Sequence, residues 1–90
     1  MTRVLIPTIM RAHTDGSSSV EASGSTVAEV IRGLVEKYPG LQPKVYDAEG
    51  KLQRHLLVVL NGDDVRSLDG TETPVADRDE LQLLPAMAGG

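Results

Sequence analysis

The chain contains no cysteine, which excludes a disulfide framework, a cysteine zinc site, an iron–sulfur cluster and a thiol nucleophile. That absence fits a cytoplasmic protein. It also lacks phenylalanine and tryptophan and has only two tyrosines, so any core must be aliphatic. Positive charge is sparse. Lys37, Lys44 and Lys51 and the six arginines are scattered along the chain, and 13 acidic residues outweigh them to a net charge of −4. Nucleic acid and anionic membrane surfaces both demand clustered basic residues, so neither is an expected partner. The longest apolar run, Leu56 to Leu60, is far too short to span a bilayer. The opening Met1-Thr2-Arg3-Val4-Leu5-Ile6-Pro7 lacks the long apolar region of a signal peptide.

What is present is enough for one small domain, since 90 residues with 40% apolar content suit a single globular unit. Residues 3–9 are β-branched and apolar and read as a strand that must bulge or end near Pro7, which has no N–H to donate. Residues 13–18 carry turn chemistry, and a second short strand is expected around Ser19–Ala22. Val27, Val30, Ile31, Leu34, Val35 and Tyr38 repeat at helical spacing and form one apolar stripe. Thr26 with Glu29 three residues on predicts a capping box at the start of that helix, and Pro39-Gly40 stops it.

Residues 41–54 predict an irregular crossing with a short helical turn. His55 to Leu60 reads as a strand apolar on both faces, and Asn61-Gly62 signals a hairpin leading into a short strand near Asp64–Arg66. After a polar loop, Glu80-Leu81-Gln82-Leu83-Leu84 alternates as the last strand, which Pro85 ends. One helix covers one face of a sheet, so this order predicts an α+β roll. The first and last strands lie parallel at its centre, which is the order of the β-grasp, or ubiquitin-like, fold. Alternation sends Val4, Ile6, Leu56, Val58, Leu60, Leu81 and Leu83 toward the helix. Leu5, Pro7, Leu57, Val59 and Leu84 point to the helix-free face, a candidate surface for docking a partner. Residues 1–84 are expected to form the domain and residues 85–90 a flexible tail.

Candidates for enzymatic chemistry are few. His13 and His55 stand alone, and two unpaired histidines make a poor acid–base or metal site. The glycines lack phosphate-loop spacing and the following Lys-Ser/Thr, and no serine sits in a nucleophile elbow. No resident cofactor or metal is expected. What stands out is the ending Gly89-Gly90, a few residues past a central strand. Glycine has no Cβ, so such a backbone can thread a narrow channel and present an unhindered carboxylate far from the folded body. That carboxylate is a poor electrophile until it is joined to AMP. The partner must therefore supply the catalysis, and the chain supplies reach and recognition.

The element order, the strand Leu56–Asn61 and the ending Leu83-Leu84-Pro85-Ala86-Met87-Ala88-Gly89-Gly90 resemble the ubiquitin-like sulfur carriers of the ThiS/MoaD type. The opening Ile6-Pro7-Thr8-Ile9-Met10-Arg11-Ala12-His13-Thr14 is similar to the branch of that family that serves cysteine biosynthesis. The resemblance implies that an E1-like (MoeB/ThiF-type) enzyme, using ATP and magnesium, adenylates Gly90. Sulfur then replaces a carboxyl oxygen to give a thiocarboxylate. The tail Pro85, Ala86, Met87, Ala88 and Gly89 would thread the partner's active site. The acceptor would be a PLP-dependent cysteine synthase, and a metalloprotease would release the cysteine. Thiamin, molybdopterin, thiosugar and thiolated-RNA pathways are the other outlets the family offers. If Gly90 is also the last residue of the gene product, the expectation is that no protease is needed to expose the diglycine. A protein modifier working through the same terminus, and a plain interaction module, are the competing readings.

Overall fold

The computed structural model describes residues 1–85. Five strands form one mixed sheet: β1 (Thr2–Leu5), β2 (Ser19–Ala22), β3 (Leu56–Leu60), β4 (Asp63–Asp64) and β5 (Glu80–Pro85), in the spatial order β2-β1-β5-β3-β4. β1 and β5 run parallel at the centre, with Val4 opposite Leu81, and every other neighbouring pair is antiparallel. The main helix, α1 (Val27–Lys37), lies across one face, and a four-residue helix, α2 (Gln42–Val45), follows in the crossing to β3.

The layering follows from the two periods of the sequence. Every second residue of β1, β3 and β5 points to α1, so Val4, Leu56, Val58, Leu60, Leu81 and Leu83 are buried. They meet Val27, Val30, Ile31, Leu34 and Val35 from the helix stripe. Each such side chain contributes roughly 1.5–3 kcal/mol when fully buried. The crossing segment seals one end of this core with Leu41, Val45, Tyr46 and Leu52. Its apolar residues therefore pack on the helix side and do not cover the helix-free face.

The helix start is tightly built. The Thr26 side chain accepts from the Glu29 N–H at 3.3 Å. The reciprocal arm of the expected capping box lands one residue earlier, because the Glu29 carboxylate accepts from the Ser25 N–H at 2.8 Å. A Cβ on Gly24 would sit 2.6 Å from the Val30 backbone nitrogen and 2.8 Å from the Glu29 carbonyl carbon. Only glycine lets the chain from β2 pass so close to the helix.

Several local expectations are revised. Residues 3–9 do not form one strand: β1 stops at Leu5, and a 3₁₀ turn occupies Thr8–His13. Pro7, at φ −67°, opens that turn, with Met10 N–H donating to its carbonyl. The turn drives Met10 into the core and leaves Ile9 65% exposed. The Asn61-Gly62 turn forms as expected, with φ of 50° and 91°, the double positive-φ signature of a tight hairpin. The strand after it is Asp63–Asp64, and Val65–Ser67 instead makes a 3₁₀ turn that buries Val65. A further 3₁₀ turn, Gly70–Glu72, lies within the polar loop. Pro85 is the last residue of β5, opposite Leu56. It tolerates this place because only its carbonyl is needed at a strand end. No helix among the described residues is long and apolar enough to cross a membrane.

Candidate functional site

β5 delivers the chain to its last residues from the middle of the sheet, and its outward side chains lie where the tail begins. Leu81 and Leu83 face the core, so Gln82 and Leu84 face away from the helix. Register places Leu57 opposite Leu84, and Val59 opposite Gln82, on one side of β5; Leu5 stands opposite Gln82 on the other. Leu5, Leu57, Val59 and Leu84 are half-buried, a patch of aliphatic side chains around one amide. Pro7 joins this group just beyond the end of β1. Pro7 and Leu84 line a cleft of about 380 Å³ together with Leu5, Thr8, Arg11 and Gln82. Thus the five residues expected on the helix-free face are brought to one region beside the end of β5.

Two participants escape sequence reasoning. Gln82 is a polar residue in an alternating strand and reads as merely solvated, yet it sits at the centre of the patch. Arg11 enters the cleft because the Thr8–His13 turn folds back, and its Nε donates to the Ile6 carbonyl at 3.1 Å. A strand running through residue 9 gives no reason to place it there. At the start of β5 the same face turns charged, with Arg3 3.8 Å from Glu80 and in register with Glu21.

Two carboxyls of perturbed acidity lie away from this patch. Hydrogen bonds from Arg66 hold the Asp64 carboxyl below its usual range. The Ala76 backbone N–H, then the Asn61 side-chain amide, do the same for Asp79. Both acids lie toward the sheet end away from Pro85, where they tie turns. His13 closes the Thr8–His13 turn, half-buried, and His55 is exposed ahead of β3. Among the described residues no group of three or more His, Cys, Asp or Glu could hold a metal ion. Of the tail positions, Pro85 lies in β5, whereas Ala86, Met87, Ala88, Gly89 and Gly90 lie outside the described residues.

A mixed five-stranded sheet wrapped on one helix, with its central strand leading to a diglycine, is the architecture of the ubiquitin-like β-grasp proteins. The chain belongs to the ThiS family, whose pattern it matches over residues 4–90. It is 45% identical to the sulfur carrier protein CysO of Mycobacterium tuberculosis over 89 residues, covering 97% of this chain and 96% of that protein. It is 36% identical to small archaeal modifier protein 3 of Haloferax volcanii over 66 residues, covering 73% of this chain and 71% of that one. Among solved structures it superposes on a chain of the Amycolatopsis orientalis BexX/CysO complex with a TM-score of 0.89 and 44% identity, covering all of both chains.

Proposed function

We propose that this chain is a sulfur-carrier protein, a cosubstrate rather than an enzyme, whose working group is the carboxylate of Gly90. The observation that carries the reading is that the ThiS match extends through the diglycine to residue 90. In the proposed cycle the E1-like partner, with ATP and magnesium, joins the Gly90 carboxylate to AMP and releases pyrophosphate. A sulfur nucleophile attacks the acyl carbon, AMP leaves with the bonding pair, and a thiocarboxylate remains. That sulfur is soft and largely ionised, and it becomes the nucleophile toward an acceptor. Identity with CysO favours a PLP-dependent cysteine synthase as the acceptor enzyme, with a metalloprotease releasing the product.

The chain's own part is recognition and reach. The patch of Leu5, Pro7, Leu57, Val59 and Leu84 offers the activating enzyme an apolar surface at the root of the tail, and Arg11 beside it offers directional hydrogen bonds. Five residues beyond Pro85 extend at most about 18 Å, enough to carry an acyl group into a recessed active site. The test is ATP–pyrophosphate exchange by an E1-like enzyme of the MoeB/ThiF type. Exchange that depends on this chain, and disappears when Gly89 and Gly90 are deleted, supports the reading. Exchange indifferent to that deletion refutes it.

The likeness to a small archaeal modifier protein favours a second use of the same activated terminus, acylation of lysine side chains on other proteins. High-mass conjugates in cell lysate, lost on deleting the diglycine, would reveal it.

A further inference from the structure

Three outward positions of β5, Glu80, Gln82 and Leu84, have three different surroundings. Glu80 lies 3.8 Å from Arg3 at the charged end of the face. Leu84 meets Leu57 beside the root of the tail. Between them, Gln82 stands in register with Leu5 on β1 and with Val59 on β3. Its carboxamide is thus flanked by aliphatic side chains on both neighbouring strands and by Leu84 two residues on. Gln82 is half-buried and lines the cleft of about 380 Å³ with Pro7 and Arg11.

The fold makes no use of that carboxamide. Among the described residues the Gln82 side chain neither donates nor accepts a hydrogen bond. Two other amides serve the structure directly. Asn61 donates to the Asp79 carboxylate and accepts from the Glu80 N–H, and Gln53 donates to the Tyr46 carbonyl. A carboxamide carries two N–H donors and an oxygen with two lone pairs, which water satisfies in the free chain. A partner that closes over the patch removes that water, and those groups must then be met across the interface or left unpaired at a cost. The aliphatic neighbours offer nothing to meet them.

Position decides which partner covers Gln82. An enzyme that grips Leu57 and Leu84 to draw in the tail also covers the next outward position of the same strand, about 7 Å away. The group that fits a carboxamide there is one residue of an extended segment, whose N–H and C=O point the same way and exchange a pair of bonds as in an antiparallel ladder. Both sides of that pairing are neutral, so no charge is stranded when water leaves. An activating enzyme with a wholly apolar surface at this point would leave Gln82 unpaired and would be selected against.

We propose that Gln82 is a specificity-determining residue of the docking face, its Oε1 accepting from the N–H and its Nε2 donating to the C=O of one residue in an extended segment of the E1-like activating enzyme. This rests on the sulfur-carrier reading. The experiment uses the full chain as wild type, as Gln82→Met, which keeps length but is apolar, and as Gln82→Glu, which keeps shape but loses the donors. Each is verified as folded by two-dimensional amide NMR. ATP–pyrophosphate exchange by an E1-like enzyme is measured against the concentration of this chain. KM is expected to rise roughly 10- to 100-fold in both variants, with kcat unchanged. If Gln82 only keeps the face soluble, an apolar side chain added to an apolar patch strengthens binding. An equal or lower KM for Gln82→Met therefore overturns the proposal, as does a loss confined to kcat. The wild type supplies a reading that does not depend on the variants. Its Gln82 side-chain N–H resonances should shift when the enzyme is added, while those of Gln42, exposed on α2, should not. Unshifted Gln82 resonances in the complex overturn the proposal. Wild type that supports no exchange at all overturns the sulfur-carrier reading instead.

Discussion

Leu57 faces Leu84 directly across the antiparallel β3–β5 pair, on the side of the sheet that the helix leaves open. This pair sits one residue before Pro85, so any protein that grips it holds the root of the tail in a fixed orientation. An aliphatic side chain buried in an interface contributes roughly 1.5–3 kcal/mol, and each 1.4 kcal/mol is about tenfold in affinity. Leu84→Glu is therefore expected to weaken adenylation by roughly 10- to 100-fold. Thermal stability should change little, because the replaced side chain is already half in water. Chain-dependent ATP–pyrophosphate exchange and a thermal melt check the two halves. Unchanged activation kinetics in Leu84→Glu remove this face from the account.

The neighbouring positions of β5 should behave in the opposite way. Leu81 and Leu83 are fully buried on the central strand, so Leu81→Ala should cost about 2–5 kcal/mol, visible as a fall in the urea midpoint. Leu84→Ala should cost well under half as much. Equal losses at 81 and 84 would mean that the two faces of β5 are not distinguished as described.

Gly24 gives a sharper test of the helix start. Gly24→Ala would push a methyl group to within 3 Å of the backbone at Glu29 and Val30, which cannot swing aside as a side chain can. A loss of about 1–3 kcal/mol is expected, in line with overpacking. Thr26→Ala, which removes the cap hydrogen bond, should cost about 1 kcal/mol. Urea denaturation of both variants checks the ranking.

Acid sensitivity should come partly from Asp64 and Asp79, whose carboxyls are held below their usual range by hydrogen bonds from Arg66, and from the Ala76 N–H and Asn61, respectively. A lowered folded value stabilises the fold above the unfolded aspartate pKa of about 3.9. That contribution disappears as pH falls through the lowered value. The difference in Tm between wild type and Asp79→Asn should therefore be present at about pH 7 and shrink toward about pH 2. A difference independent of pH would assign the effect of Asp79 to hydrogen bonding alone.

The parts of this structure that depend on period were readable from residues. The stripe Val27 to Val35 specified a helix and its buried face, and alternation in β5 specified which leucines enter the core. Asn61-Gly62 specified its turn because few other residues accept two successive positive φ values. What escaped depended on tertiary choice. Pro7 could end a strand, bulge it or open a 3₁₀ turn, and only the burial of Met10 decides for the turn. Arg11 and Gln82 enter the candidate site by folding, since neither residue type nor spacing marks them. The diglycine was the opposite case, legible in sequence as a functional element although Gly89 and Gly90 lie outside the described residues.

The central claim, sulfur transfer to Gly90, is tested most directly by the intact mass of the purified chain after incubation with an E1-like enzyme, ATP and sulfide. The account predicts a gain equal to the exchange of one oxygen for sulfur, absent without ATP and absent when Gly90 is deleted. An unchanged mass with cognate activating enzymes shown to be active, or a gain that survives deletion of Gly90, would contradict it.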